Sequence, residues 1–235
     1  MTQIEFKQLI KEAKYFTKYE AILERESLEV YGYEALSKFD IKDQIINTEE
    51  IFKKLHHNNR LFFELEKRNK KLQIENYPLG NKLCWNFDAD IVATKAQQSY
   101  WKDFLNKYKE MVVIEITENG NEDETSSQIM KDFSDWLCLN EFNAALDDFA
   151  QDGSMFSFHI MNNCKYVKID KSFLHQIKKN KNYIHYLKGL LQTIKLNNQK
   201  SIIEGVETLD DLNLVKTLDC DFIQGYYFGD LSFCC

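Results

Sequence analysis

The chain has 235 residues, 44% of them hydrophobic, which suits one medium-sized domain with a full core. A formal charge of −7, from 30 basic and 37 acidic side chains, excludes polymeric nucleic acid and an anionic membrane as the main partner. It permits a small anionic ligand held through cations. No run approaches the roughly 18 apolar residues of a membrane span, and Met1–Ala13 is charged and amphipathic, unlike a secretory signal. The cysteines (Cys84, Cys138, Cys164, Cys220, Cys234, Cys235) show no CxxC spacing and read as free thiols of a cytoplasmic protein.

In chain order, Ile4–Phe16 reads as an amphipathic helix, so a leading segment is expected over residues 1–18 and a single domain over 19–235. Tyr19–Leu23 and Glu29–Leu36 read as strands joined by a polar turn at Arg25–Ser27, and the second carries Glu34 among apolar neighbours. From Thr48 to Leu72 the spacing of Ile51, Leu55, Leu61, Phe62 and Leu65 predicts a helix capped by Thr48. His56 and His57 within it read as surface or packing residues.

A series of short apolar strands follows, each ending in a polar residue. Leu83-Cys84-Trp85 runs into Asn86, Met111–Ile114 into Glu115, and Ala144–Leu146 into Asp147 and Asp148. Tyr166-Val167 runs into Lys168 and Asp170, Ile202-Ile203 into Glu204, and Phe222-Ile223 into Gln224. Between them, Gln97–Tyr108, Ser126–Leu139, Asn182–Leu196 and Leu209–Leu218 carry helix-spaced apolar residues. Alternating strands and helices predict a mostly parallel sheet. The polar strand ends favour an α/β fold of the (β/α)8, TIM-barrel type, whose site gathers at the C-terminal ends of the strands. An open doubly wound sheet competes, but the Gly-rich phosphate loop that usually follows its first strand is missing here.

Adjacent acids such as Asp147 and Asp148 repel each other and lose hydration at a buried strand end, and they stay ionised only by sharing a cation. A helix N-cap or a turn is the bland alternative for such a pair. With Glu34, Asn86, Glu115 and Glu204 on the same rim, the oxygen-rich set suits Mg²⁺ or Mn²⁺ rather than zinc. Its number of carboxylates suggests two ions. Lys168, alternating with Asp170 on one strand face, stays protonated beside so many acids and can orient water or neutralise a phosphate. A structural salt bridge is its simpler role. Tyr226-Tyr227-Phe228 reads as packing of the closing strand, and Asn119–Glu124 as a solvated loop.

In order and spacing these residues resemble the EAL-domain family of cyclic di-GMP phosphodiesterases, from Tyr19 to about Asp230. The resemblance rests on Gly32-Tyr33-Glu34-Ala35-Leu36, Asn86, Glu115-Ile116-Thr117-Glu118, Asp147-Asp148-Phe149, Lys168-Ile169-Asp170, Glu204-Gly205-Val206-Glu207-Thr208 and Gln224-Gly225. It implies Glu34, Asn86, Glu115, Asp147, Asp148 and Glu204 as metal ligands. It further implies Lys168, Glu204, Glu118 and Gln224 in catalysis, Glu118 by anchoring the loop after Asp148, and Leu36, Lys38 and Gln224 at the substrate. The implied reaction is metal-dependent hydrolysis of cyclic di-GMP to linear pGpG, by a cytoplasmic protein with a homodimer contact in that loop. The alternative is a catalytically inactive receptor that acts by binding cyclic di-GMP or a protein partner. Departures from the family favour that alternative: Ser37-Lys38 in place of Leu-Arg, Glu20-Ala21-Ile22 in place of Gln-Pro-Ile, and Ala150 and Asp152 in place of two glycines after the acids.

Overall fold

The period-two pattern of the strands makes one face apolar toward helices and turns the other toward a common axis, and the sheet closes on itself. The structure, a computed structural model, describes residues 12–41, 44–46, 48–56, 58–117, 124–151 and 157–235. A hairpin of β1 (Lys14–Glu24) and β2 (Val30–Ile41) opens it, with β3 (Gln44–Ile46) beside β2. Then come α1 (Thr48–Leu55), α2 (Asn59–Glu75), β4 (Lys82–Asn86), α3 (Lys95–Leu105), β5 (Val112–Thr117), α4 (Glu124–Leu139) and β6 (Ala144–Phe149). The second half holds α5 (Phe158–Asn163), β7 (Tyr166–Ile169), α6 (Ser172–Lys179), α7 (Tyr183–Leu196), β8 (Lys200–Ile203), α8 (Leu209–Lys216), β9 (Phe222–Gln224) and β10 (Phe233–Cys234). Around the barrel the order is β1-β2-β4-β5-β6-β7-β8-β9, returning to β1, with β1 antiparallel to both neighbours and the other pairs parallel.

Three expectations need correction. The helix proposed over Ile4–Phe16 lies mostly outside the described residues, and its end, Lys14–Phe16, is strand, paired with Phe39–Asp40 and Lys38 of β2. The boundary drawn at residue 18 therefore falls inside β1. The helix expected over Thr48–Leu72 is two helices, because Asn58 caps α2 by accepting a hydrogen bond from the Leu61 backbone N–H. Tyr226–Phe228 forms a 3₁₀ turn after β9, where only Phe228 is buried. Two short helices, α5 and α6, were not singled out by the periodicity. No helix among the described residues is long and apolar enough to cross a membrane.

The barrel interior is layered. Ile22, Cys84, Val113, Ala145, Tyr166, Ile202 and Phe222 form one buried apolar cluster that serves as a floor. Two residues further along their strands stand Asn86, Glu115, Asp147, Lys168, Glu204 and Gln224, and period two keeps them on the same face. On β2 the floor position is Gly32, two before Glu34. The register slips there, from Ile22↔Gly32 to Leu23↔Val30, leaving Tyr31 as an extra, bulged residue. Tyr31 plugs the floor, stacking on Phe222 at 3.9 Å between ring centroids and sharing a hydrogen bond with the Tyr166 hydroxyl.

A second bulge shapes the rim. Pairing of β6 with β7 jumps from Leu146↔Val167 to Phe149↔Ile169, so Asp147 and Asp148 together oppose one residue. Neighbours in a regular strand point to opposite faces, and this bulge is what lets both acids reach one site. It is turned by left-handed backbone at Asp148 (φ 51°) and Ala150 (φ 63°). Asp tolerates that region, whereas Ala does so at a steric cost. At the far side Gly225 brings β9 against the loop after β8, and a Cβ there would sit 2.2 Å from the Val206 carbonyl oxygen.

Two outcomes follow for urea denaturation. Ala150→Gly should raise stability by roughly 0.5–1 kcal/mol, relief of left-handed strain exceeding the added chain entropy. Gly225→Ala should cost ~3 kcal/mol, since the clash is with backbone that cannot move aside.

Candidate active site

The ammonium of Lys168, at the end of β7 and 1% exposed, is the centre of the site. Four carboxylates from four other strands or strand ends surround it. Glu115 Oε1 lies at 2.8 Å, Asp147 Oδ1 and Glu204 Oε1 at 2.9 Å, and Glu34 Oε2 at 3.2 Å. Glu34 is also held by two amides, accepting from Asn86 Nδ2 at 2.8 Å and from Gln224 Nε2 at 2.7 Å. An ammonium has three N–H donors and cannot aim one at each of four carboxylates. Accordingly both oxygens of the fully buried Glu115, and Asp147 Oδ1, accept no well-directed hydrogen bond despite their closeness to Lys168.

Excess negative charge shows in the protonation equilibria. Burial works against the Glu34 carboxylate, but the Lys168 charge and the Gln224 and Asn86 amides outweigh it and hold its pKa below the usual range. Burial and then the Glu34 charge push Glu115 well up. Burial also raises Asp147, takes Asp148 to about 7 with help from Asp147, and takes Glu204 to about 8. Lys168 resists burial through its four acids and is held firmly protonated.

The arrangement holds more carboxylates than Lys168 can answer. Oxygens of Glu34, Glu115 and Asp147 gather within 4.8 Å of one another, as do those of Asp147, Asp148 and Glu204, so the two groups share Asp147. The orphaned oxygens of Glu115 and this all-oxygen donor set fit a hard divalent ion.

The cleft above the cage, about 180 Å³, is walled by Glu20, Glu34, Asp148, Asp170, Lys171, Glu204, Glu207, Gln224 and Tyr226. Asp170 lies one residue beyond β7, where its Oδ1 accepts from the Ser172 N–H. The charge that Glu20 adds is partnered by Lys18, 2.6 Å away. Leu36 and Lys38 continue β2 past Glu34, partly exposed, and neither lines the cleft. Glu118 and residues 152–156 lie outside the described residues, as do His57 and the run Asn119–Asp123. His56 is an exposed residue, as expected, between Asp88 and Asp90, its Nδ1 2.9 Å from Asp90 Oδ2 and its ring edge-on to Phe62. Tyr226, read as packing of the closing strand, instead lines the cleft, and Lys171 was missed as a wall residue because the sequence gives no sign that its loop turns inward. Gln73 was missed too: from α2 it donates to the Ala35 carbonyl and the Ser37 hydroxyl, fixing β2 on both sides of Leu36.

A family model described as the EAL domain matches residues 4–230. The curated protein "Cyclic di-GMP phosphodiesterase TpdA" of Vibrio parahaemolyticus serotype O3:K6 is 25% identical over 215 residues, covering 92% of this chain and 37% of that protein. "Probable cyclic di-GMP phosphodiesterase PdeN" of Escherichia coli K12 is 25% identical over 230 residues, 94% of this chain and 44% of the relative. The chain thus spans less than half the length of these relatives. Among solved structures, the FimX EAL domain from Pseudomonas aeruginosa bound to c-di-GMP has a TM-score of 0.77 at 19% identity, covering 95% of this chain and 93% of its own. The apo S helix-GGDEF-EAL structure of Vibrio cholerae LapD has a TM-score of 0.78 at 18% identity, covering 97% of this chain and 58% of its own. These structural likenesses bear out the barrel, and the family model spans nearly the whole chain: it belongs to the EAL-domain family.

Proposed function

We propose that the chain hydrolyses cyclic di-GMP to linear pGpG at the Lys168 site, with Mg²⁺ or Mn²⁺ as cofactor. The observation that carries this reading is the pair of carboxylate groups sharing Asp147 around one buried lysine. Glu34, Asn86, Glu115 and Asp147 would hold one ion, and Asp147, Asp148 and Glu204 a second. The ions would supply charge neutralisation at the phosphate and a water of lowered pKa. The chain's own groups do the rest. Lys168 presents N–H donors to the attacking water or a phosphate oxygen, and the amides of Asn86 and Gln224 keep Glu34 ionised and oriented. Water's oxygen bonds to phosphorus, the P–O3′ bond breaks, and the water proton ends on the leaving ribose oxygen. The placement of Glu204 and Gln224 at the cleft wall supports roles beside the reacting phosphate, and Glu118 is assigned to anchoring the loop after Asp148. Leu36 and Lys38 are assigned to the ligand from the outer part of β2. The protein is assigned to the cytoplasm, where the nucleotide would be met.

One observation favours the second reading, a receptor that binds without turnover. Ala150 holds left-handed backbone where the family's glycine would sit unstrained, next to both shared acids.

Purified protein incubated with cyclic di-GMP and Mg²⁺ or Mn²⁺ should yield pGpG by chromatography, and a chelator should stop it. Glu115→Gln should lower that rate by more than ~100-fold while the far-UV spectrum is unchanged. Binding without product would select the receptor, and neither binding nor product would reject both readings. Lys168→Met leaves the carboxylates facing one another, so without divalent ions it should unfold ~3–5 kcal/mol more easily. Mn²⁺ should recover part of that loss in thermal denaturation. Equal loss with and without Mn²⁺ would mean the acids do not hold a cation.

A further inference from the structure

Charge is distributed very unevenly along this acidic chain. From Ser157 to Ile203 there are nine lysines and one acid, Asp170, so the remainder is more acidic still than the overall −7. Lys168, Asp170 and Lys171 belong to the barrel mouth, and the other lysines of this segment lie on α6, α7 and β8 or in the turns before β7 and α7. Lys178, Lys195 and Lys200 are answered by Asp211, Asp219 and Asp221. Lys179, Lys181 and Lys188 are exposed and have no carboxylate partner among the described residues.

Within this basic face lies a groove of about 530 Å³, between α7 and the turn Thr217–Asp219. Its floor is apolar, made by the buried Leu191 and Leu218, and Leu196 stands at its edge 74% exposed. Lys188 and Lys195, the latter paired with Asp219, flank it, and Lys181 lies seven residues before Lys188, in the turn that precedes α7. Seven residues is close to two helical turns, so Lys188 and Lys195 fall on one stripe of α7, about 10 Å apart along its axis. Such a row matches carboxylates repeated at the same step on another helix.

We propose that this groove docks an acidic amphipathic helix of a protein partner, its leucine-type side chains entering the groove and its Asp or Glu side chains meeting Lys181 and Lys188. Charge complementarity argues for that occupant, because Lys188 at the groove and Lys181 near it have no carboxylate partner among the described residues, in a segment of nine lysines and one acid. The exposed Leu196 at the edge of the groove argues against a phosphate polymer, which would leave it without an apolar partner. The docking stands independently of the hydrolytic reading, since the groove's residues take no part in the cleft.

The test is selection of a random 16-residue displayed-peptide library on the full chain, followed by anisotropy titration of the enriched peptides. Enriched sequences should combine Asp or Glu with Leu, Ile or Phe at helical spacing. Lys188→Glu should weaken their binding at least tenfold, and Leu196→Ser several-fold. Both side chains are exposed, so both variants should keep the wild-type melting temperature and the wild-type yield of any pGpG. No enrichment, enrichment of basic or neutral sequences, or binding indifferent to both substitutions would overturn the proposal. Single-stranded DNA or phosphatidylserine vesicles bound in a Lys188-dependent manner, with no acidic peptide bound, would overturn it in favour of that other partner class.

Discussion

The constraint on which this structure depends is the balance of buried charge around Lys168. Removing an ion from water costs several kcal/mol even after relaxation, and here four carboxylates share one ammonium. Lysine alone does not balance them, and the amides on Glu34 offset only part of the remainder. An apolar cluster filling the same volume would be the more stable solution. That this chain keeps the acids, with Glu115 fully buried and poorly satisfied, marks the barrel mouth as a place where stability gives way to a concentrated, charged site.

Two irregularities convert a repetitive barrel into that site. The bulge at Tyr31 closes the floor with a ring pair and sets the register that puts Glu34 one layer above it. The bulge at Asp147 and Asp148 breaks the alternation that would otherwise turn one of these acids away. Each is a local departure from sheet geometry imposed by packing on both sides. The second uses left-handed backbone at a residue, Ala150, that is poorly suited to it.

The acidic mouth and the lysine-rich face of α6 and α7 are separate features of one acidic chain. At the mouth, charge is buried and answered at short range. On the lysine-rich face Lys188 stands exposed beside a partly apolar groove, and it, Lys179 and Lys181 have no carboxylate partner among the described residues. Screening over about 8 Å at physiological salt keeps such regions largely independent of one another.

Much of this protein was legible in its residues. Short apolar strands ending in Asn86, Glu115, Asp147, Lys168, Glu204 and Gln224 determined the barrel and the contents of its rim, because period two and burial act locally. The length of β1, the break of the first long helix at Asn58 and the turn at Tyr226 escaped, since they depend on pairing, on capping and on what lies opposite. Only the tertiary structure decided that neighbouring Asp147 and Asp148 face one site, that Gln73 holds β2 through Ser37, and that Lys18 neutralises Glu20. Sequence spacing fixes which residues share a face. Which face meets which, and where a bulge exchanges them, is set by contacts between segments far apart in the chain.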